Sequence, residues 1–240
     1  METKRPLKQK TIGILGGCSD VATKEYYQMI NSLVNNQLGG WEIAETLIVG
    51  MNFGNIEAFV RTKDWETTAT YLKDKLTRLE KGGADLVICA SNTLHGVLSD
   101  LISDYSFEFI HICEPTAESI KAKGLSKVAL FGTKPVMDMT YIRDHYKNNF
   151  DIDVCVPTEE EQVQIDRIIF DELVKQKVTK ESQDTYLQIY DRLKKDEGAE
   201  GLILGCTEIF LLLNPDDFPQ ENFFNTSKLH CQEVVKRALS

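Results

Sequence analysis

Short apolar runs alternate along the chain with longer stretches in which apolar residues recur every three or four positions. Short runs closed by glycine or polar residues are typical of strands, and longer periodic stretches are typical of amphipathic helices. The predicted strands are 11–15, 45–53, 85–90, 107–112, 127–131, 152–157 and 201–204, and the predicted helices are 22–35, 65–81, 136–149, 159–175, 180–196 and 227–239. Because the strand runs lack polar alternation, they should be buried on both faces. The pattern therefore predicts an α/β fold with parallel sheets.

Two segments of the chain repeat each other. Residues 83–91 align with residues 198–206 without a gap at a shift of 115 positions, and residues 12–16 match residues 128–132 at a shift of 116. Such self-similarity indicates repeated units, although strand-ending segments of any α/β protein also resemble one another. We predict two pseudo-symmetric lobes of the flavodoxin-like or Rossmann-like kind, each a parallel sheet flanked by helices. The first predicted lobe comprises residues 1–113 and 215–240, and the second comprises residues 114–214.

The repeat gives Ser91 and Cys206 equivalent positions just beyond the carboxyl ends of two predicted strands. Open α/β sheets bind ligands beyond these strand ends. Two facing lobes would therefore present Ser91 and Cys206 to opposite sides of one ligand cleft. Backbone N–H groups at the starts of the following helices, with the side chains of Asn92, Thr93 and Thr207, would suit a carboxylate.

Composition excludes several classes of function. The 240 residues include 27 Lys and Arg against 37 Asp and Glu, and the net charge of −10 argues against nucleic-acid or anionic-membrane binding. No apolar run approaches the roughly 18 residues that a membrane span needs. Residues 1–10 are basic and lead into a predicted strand instead of a signal-peptide region, so we expect a cytoplasmic protein. The six cysteines show neither a CxxC pair nor zinc-ligand spacing, so no metal site is predicted.

A glycine-rich turn after the first predicted strand raises the alternative of dinucleotide binding. Residues 13–17 have the spacing G-x-x-G-G, whereas the nucleotide fingerprint is G-x-G-x-x-G. The acidic residue expected about 20 positions later also has no clear counterpart. We therefore disfavour a dinucleotide-binding domain.

Three motifs together resemble the cofactor-independent aspartate/glutamate racemases: residues 11–17, 92–95 and 205–209. Further matches at residues 26–27, 131–133, 157–162 and 169–173 extend the resemblance over nearly the whole chain. Glu208 and Ile209 after the cysteine motif resemble the aspartate racemase branch. The resemblance implies a racemase without cofactor, a small acidic amino acid as the ligand and a homodimer, although no sequence feature specifies an interface.

In such enzymes one thiol lies on each face of the substrate α-carbon, so that one removes the proton and the other returns one. The resemblance assigns Cys206 as the base, since nearby donors can lower the pKa of a thiol from its usual value near 8.5. It assigns Asn92, Thr93, Thr133 and Thr207 as donors to the substrate carboxylate. It also places Lys175 where relatives carry a lysine that reaches the side-chain carboxylate.

Ser91 stands where the family normally has its first catalytic cysteine. A hydroxyl stays protonated near neutral pH and needs an adjacent base, and Cys89 lies too early on its strand to replace the thiol. We therefore expect Cys206 to be the one strong base, with Ser91 positioning a water or weakly donating a proton, and one antipode, L by family analogy, exchanging faster. A relay from Ser91 to His95 is one alternative; the other is a histidine that bonds to backbone or solvent.

Three further residues are candidates for the pocket. Cys18 replaces a common methionine and would form a pocket wall or act as a secondary acid. Asn52 lies in the loop from which relatives contact substrate, and Arg61 would either reach the distal carboxylate or remain a solvated charge. A non-catalytic homologue that binds an acidic amino acid is the alternative to an active racemase, and Ser91 is the residue that favours it.

Overall fold

The computed structural model describes Arg5 and residues 7–240. Residues 1–4 and 6, which belong to the basic segment considered above, lie outside the described residues. The chain divides into two compact units: the first runs to His111 and includes His230–Ser240, and the second is Ile112–Leu229. No helix of the described residues is long and apolar enough to cross a membrane.

Each unit contains one four-stranded parallel sheet with helices on both faces. The strands are β1 Ile12–Gly16, β2 Thr46–Gly50, β3 Leu86–Cys89, β4 Glu108–Phe109, β5 Lys127–Phe131, β6 Asp153–Cys155, β7 Leu202–Leu204 and β8 Phe223–Asn225. The helices are α1 Asp20–Leu38, α2 Phe53–Arg61, α3 Trp65–Lys81, α4 His95–Leu98, α5 Cys113–Ala122, α6 Lys134–Asp138, α7 Thr140–Phe150, α8 Glu159–Asp171, α9 Lys180–Arg192 and α10 Thr226–Ala238. The predicted α/β class with parallel sheets is confirmed.

The sheet of the first unit has the strand order β2-β1-β3-β4. Successive residues of its central strands point to opposite faces, so Ile12 and Ile14 pack with α1 and α10, whereas Leu15 packs with α2 and α3. Strands β1 and β3 are buried along their whole length. This burial on both faces explains the unbroken apolar runs in the sequence.

The sheet of the second unit has the order β6-β5-β7-β8, which repeats the first order strand for strand. Strands β4 and β8 begin at Glu108 and Phe223, which are separated by the shift of 115 found in the sequence. Strand β8 was not among the predicted strands. Because β8 pairs with β7, residues 215–229 belong to the second unit, and the predicted boundary after residue 214 differs from the observed division.

Several predicted elements end earlier than the pattern suggested. The predicted strand 45–53 stops at Gly50, because the Asn52 side chain caps α2 by accepting the N–H of Gly54 at 2.9 Å. The predicted helix 136–149 is two helices, because Met139 has an extended backbone. Helix α8 ends at Asp171 and is followed by a separate 3-10 turn. Helices α2, α4 and α5 were not predicted.

Candidate active site

In the first unit, a tight turn holds Cys18 at the carboxyl end of β1. Gly17 has φ of +89°, and a Cβ there would lie 2.2 Å from the backbone oxygen of Met51. The turn is fixed by the Gly17 N–H, which donates to Thr23 Oγ1 at 2.8 Å, and by Ser19, which accepts the N–H of Ala22 and so caps α1. Cys18 lies between these fixed residues with its side chain half-buried.

Ser91 and Cys89 reach the same sheet edge from β3. Strand β3 is the neighbour of β1, with Cys89 opposite Leu15. The Cys18 side chain packs against the cluster of buried residues that includes Cys89. We call Cys18, Cys89 and Ser91 the first-unit cluster. Two of its members, Cys18 and Ser91, are half-buried, whereas Cys89 is fully buried.

The pKa values of Cys18 and Cys89 are shifted in opposite directions. Donation from Cys89, and then from Ser91, lowers the pKa of Cys18 although burial opposes the shift. Burial raises the pKa of Cys89, and the adjacent Cys18 raises it further. Cys89 therefore remains a protonated donor, and Cys18 is the thiol of the first unit that most readily forms a thiolate.

His95 contacts the main chain of Ser91. Its Nδ1 lies 2.7 Å from the Ser91 carbonyl oxygen, and because a carbonyl can only accept, Nδ1 carries the hydrogen. The ring is fully buried and packs edge-on against His111 and His230, with ring centroids 4.7 and 5.7 Å apart. This contact matches the alternative of a histidine bonded to backbone.

The donors predicted after β3 lie in a turn. Asn92 and Thr93 are half-buried and precede α4, which has four residues. The His95 N–H donates to the Asn92 carbonyl oxygen at 3.3 Å, which starts this short helix. Because so short a helix has little dipole, the side chains and turn amides are the donors that this segment can offer to an anion.

In the second unit, Cys206 follows β7 at a position where the backbone is closely packed. The Gly205 N–H donates to the Phe131 carbonyl oxygen at 2.7 Å, and a Cβ on Gly205 would lie 2.8 Å from the Leu130 side chain. This close approach leaves room for glycine alone before Cys206. Thr207 then begins a 3-10 turn, Thr207–Leu211.

A buried carboxylate binds the thiol in this turn. The Cys206 thiol donates to Glu208 Oε2 at 2.9 Å, and Thr207 Oγ1 donates to the same oxygen at 2.6 Å. Glu208 is 8% exposed. We call Cys206, Thr207 and Glu208 the second-unit cluster. Sequence reasoning used Glu208 only as a family marker and missed its contact with the Cys206 thiol; the signal was an acidic residue two positions after the cysteine.

The environment of Cys206 differs from the expected one. Burial, followed by the negative charge of Glu208 and its hydrogen bond, raises the pKa of Cys206 well above the usual thiol value. The sequence had suggested that nearby donors would lower this pKa. The carboxylate acts in the other direction, because it stabilises the protonated thiol by accepting its hydrogen.

Two further predicted residues lie in the second unit. Thr133 is half-buried, follows β5 and precedes α6, and the preceding Gly132 lies close to the Gly205 carbonyl oxygen. Thr133 and Cys206 therefore follow neighbouring strands. Lys175 ends a 3-10 turn that packs against the turn Thr207–Leu211, although its side chain is exposed and lies 3.9 Å from Asp171.

Asn52 and Arg61 lie at opposite ends of α2. Asn52 caps the start of the helix and its N–H donates to the Tyr71 hydroxyl at 3.0 Å. Arg61 is the last residue of the helix and forms an ion pair with Glu57. A nine-residue helix separates its ends by about 12 Å at 1.5 Å per residue. The structure therefore does not bring Arg61 beside Asn52.

The fold and the two clusters define a class of protein. Parallel α/β units bind ligands beyond the carboxyl ends of their strands, and the thiol, hydroxyl and carboxylate groups found there are chemically able to transfer protons. Within the described residues, no three His, Cys, Asp or Glu side chains are grouped so that they could hold a metal ion. The class is that of parallel α/β proteins with ionisable side chains at the carboxyl edges of their sheets.

Comparison with known families gives the particular assignment. Residues 15–232 match the model of the Asp/Glu/hydantoin racemase family. The chain belongs to this family and is an isomerase, an amino-acid racemase. The resemblance stated from the sequence motifs is thereby confirmed.

Solved structures agree in fold along nearly the whole chain. A proposed Asp/Glu racemase from Yersinia pestis is 32% identical, with 96% of this chain and 100% of that chain covered and a TM-score of 0.88. An aspartate racemase homologue from Pyrococcus horikoshii is 29% identical, with the same coverage and a TM-score of 0.85. The aspartate racemase of Picrophilus torridus is 20% identical, with 95% and 94% covered and a TM-score of 0.74, and shares the fold.

Proposed function

We propose that this racemase acts on aspartate or glutamate without pyridoxal phosphate or another cofactor. In this proposal Cys206 is the base on one face of the α-carbon, and Ser91 occupies the opposite position. The observation that carries the proposal is the 2.9 Å contact between the Cys206 thiol and Glu208, because it gives the thiol proton an acceptor.

Proton removal by Cys206 requires its thiolate. The thiol proton passes to Glu208 Oε2, and the resulting thiolate takes the α-proton of the substrate. Glu208 then holds the first proton and Cys206 holds the substrate proton. Return of a proton from the opposite face of the carbanion would invert the centre.

The carbanion next to the α-carboxylate needs hydrogen-bond donors that are already in place. We assign this role to Asn92, Thr93, Thr133 and Thr207, all of which follow strand ends and are half-buried. Their hydroxyl and amide groups can donate to a carboxylate.

The side-chain carboxylate of the substrate needs cationic partners. We assign Lys175 and Arg61 to this carboxylate, and we assign Asn52 and Cys18 to the wall of the pocket. The exposed positions of Lys175 and Arg61 leave both cations able to bind an incoming anion once they exchange their present carboxylate partners.

Ser91 makes the proposed reaction unequal in its two directions. A hydroxyl stays protonated near neutral pH, so Ser91 removes the α-proton of the antipode that faces it less readily than a thiolate would. We therefore expect the antipode deprotonated by Cys206, the L form, to exchange its α-proton faster than the D form.

Deuterium incorporation from D2O into L- and D-aspartate and L- and D-glutamate, followed by proton NMR, tests the proposal. The expected result is faster exchange of the L antipode of at least one of the two amino acids. Equal rates for both antipodes would contradict the unequal assignment of Cys206 and Ser91. Calorimetric binding of these amino acids without exchange would instead indicate a binding protein.

We also propose that the protein is a cytoplasmic homodimer that binds neither nucleic acid nor membranes. The support is the family resemblance and the net charge of −10, which disfavours polyanionic partners. Light scattering of the purified protein is expected to give twice the mass of the chain, and the monomer mass would contradict the dimer.

A further inference from the structure

We propose that His95 is a positioning residue for the first-unit cluster. Its imidazole holds the main chain at Ser91 and thereby fixes the Ser91 side chain and the turn that follows it. In this role His95 acts through Ser91 and transfers no proton itself. The inference rests on the proposed function, in which Ser91 faces the substrate α-carbon.

The hydrogen bonds that hold β3 in its sheet reach to the residue before Ser91. The Ala90 N–H donates to the Leu15 carbonyl oxygen of β1 at 3.0 Å. One residue further, the Ser91 carbonyl oxygen accepts a hydrogen bond from His95 Nδ1 at 2.7 Å. A side chain therefore holds the main chain at the point where the chain leaves the sheet.

His95 closes the turn after β3 by binding two successive carbonyl groups. Its Nδ1–H donates to the Ser91 carbonyl oxygen, and its backbone N–H donates to the Asn92 carbonyl oxygen at 3.3 Å. Because a peptide group is planar, the direction of the Ser91 carbonyl sets the plane that contains the Asn92 nitrogen. The positions of Ser91, Asn92 and Thr93 therefore depend on one histidine.

Burial fixes the ring that makes this bond. The His95 ring is fully buried and packs against three aromatic rings, those of Phe109, His111 and His230, with centroids 5.5, 4.7 and 5.7 Å away. A side chain packed closely on several sides keeps one rotamer. The Nδ1–H therefore has a fixed direction, and a fixed geometry is what a residue facing a reacting atom requires.

His230 makes a comparable bond in the same unit. Its Nε2 lies 2.8 Å from the Ile110 carbonyl oxygen, and its Nδ1 lies 3.3 Å from the Tyr26 hydroxyl. Burial lowers the pKa of His230 to about 4, so the ring is neutral near neutral pH and its single N–H donates to the carbonyl. His95 and His230 are thus both fully buried donors to main-chain carbonyl groups, but Ile110 is not a residue of the proposed site.

Antipode-resolved exchange in D2O tests the role of His95. His95→Phe keeps an aromatic ring and removes the Nδ1–H. We expect exchange of D-aspartate or D-glutamate, which uses Ser91, to fall by about tenfold or more, because a displaced reacting group slows the chemistry steeply. Exchange of the L antipode, which uses Cys206, should stay within about threefold of wild type.

Two amide variants separate the effect of the hydrogen bond from that of the ring. His95→Asn carries an N–H on its δ atom, as the histidine does, and should restore the ratio of L to D exchange to within about twofold of wild type. His95→Gln carries its N–H one bond further out, so it should show the same loss as His95→Phe. This pair tests the hydrogen bond even if the phenylalanine variant does not fold.

His230→Phe is the matched control, because it removes an equally buried N–H and leaves a main-chain carbonyl oxygen without this donor. Both phenylalanine variants should lower the temperature of thermal unfolding, but the ratio of L to D exchange should change in His95→Phe alone. Four results would overturn the role of His95: unchanged D exchange in His95→Phe, a parallel fall for both antipodes, an equal change of the ratio in His230→Phe, or an equal loss in His95→Asn and His95→Phe. Absence of exchange with either antipode in the wild type would instead reject the proposed function itself.

Discussion

The two units carry their chemistry at equivalent strand ends but in opposite electrostatic settings. Ser91 and Cys206 are 115 residues apart and follow β3 and β7, which hold the same place in the two sheets. In the first-unit cluster, donors surround a sulfur and lower the pKa of Cys18. In the second-unit cluster, burial and a carboxylate raise the pKa of Cys206.

The two units share the same strand order, but the ionisable groups at equivalent strand ends have different environments. The sheet order determines the position of each group, whereas the side chains packed against that group and its burial determine whether it holds its proton. A racemase needs one proton donor and one proton acceptor at the same time. The two clusters differ in this respect, because the pKa of Cys18 is lowered and the pKa of Cys206 is raised.

Removal of the Cys206 thiol should have the largest effect. Cys206→Ala is expected to lower α-proton exchange of L-aspartate or L-glutamate by about a thousandfold or more, because the base on that face is lost. Proton NMR in D2O measures the loss, with Cys155→Ala as the control. Full activity in Cys206→Ala would show that this cysteine is not the base.

A thiol at position 91 should reduce the difference in exchange rate between the L and D antipodes. Ser91→Cys is expected to raise exchange of the D antipode by about tenfold, since a thiol is a far better acid and base than a hydroxyl near neutral pH. The ratio of L to D exchange should fall accordingly. An unchanged ratio, measured in the same assay, would mean that position 91 does not limit the D direction.

Removal of the Glu208 carboxylate should lower the pKa of Cys206 and so reduce its difference from Cys18. The pKa of Cys206 is raised, so exchange of the L antipode, which needs the thiolate, should increase with pH beyond the usual thiol range. Glu208→Gln removes the negative charge and should move this alkaline limb to lower pH, while the maximal rate falls because the acceptor of the thiol proton is lost. The pH dependence of kcat/KM for L exchange measures the shift.

Glu200→Gln is the control for this experiment. Glu200 lies before β7 and accepts hydrogen bonds from the backbone N–H groups of Ser126 and Lys127. It therefore lies at the opposite end of β7 from the second-unit cluster. Its substitution should leave the alkaline limb in place. A limb that stays fixed in Glu208→Gln, or moves to higher pH, would refute the assigned cause of the Cys206 shift.

Substitution of Gly17 in the turn after β1 should have the smallest effect on the chemistry. It should nevertheless lower the stability of the fold measurably. Gly17→Ala should destabilise the fold by about 3 kcal/mol, because positive φ and a clash with the Met51 backbone act together. Gly198, in the second unit, has a similar φ of +72°, but an added Cβ there would have no atom within 4 Å. Gly198→Ala should therefore destabilise the fold by about 1 kcal/mol. Urea unfolding compares the two; equal losses would show that the Met51 contact does not hold the Cys18 turn.

The sequence pattern predicted the class of fold because the buried strands are long apolar runs and the repeat marks both halves. It missed β8, whose three residues are too few to show a pattern, although the shift of 115 from β4 would have located it. It also missed α2, because Met51 and Phe53 extend the apolar run of β2, whereas the Asn52 side chain between them caps the start of a helix.

The candidate site was harder to predict, since it depends on contacts between strands. Cys18 was proposed as a pocket residue from its turn, but the lowering of its pKa by Cys89 requires the pairing of β1 with β3. The effect of Glu208 on Cys206 depends on which way a carboxylate turns within one short 3-10 turn. Neither the spacing nor the composition of the chain determines these orientations.

The most direct test of the central claim is separate titration of the two thiols. Alkylation of the wild-type protein by iodoacetamide at a series of pH values, followed by peptide mass spectrometry, gives the reactivity of Cys18 and Cys206 independently of any substrate. Because the thiolate is the reactive form, Cys18 should reach half of its maximal rate at a lower pH than an ordinary thiol, and Cys206 at a higher pH. Coincident titration of the two thiols, or the reverse order, would contradict the account.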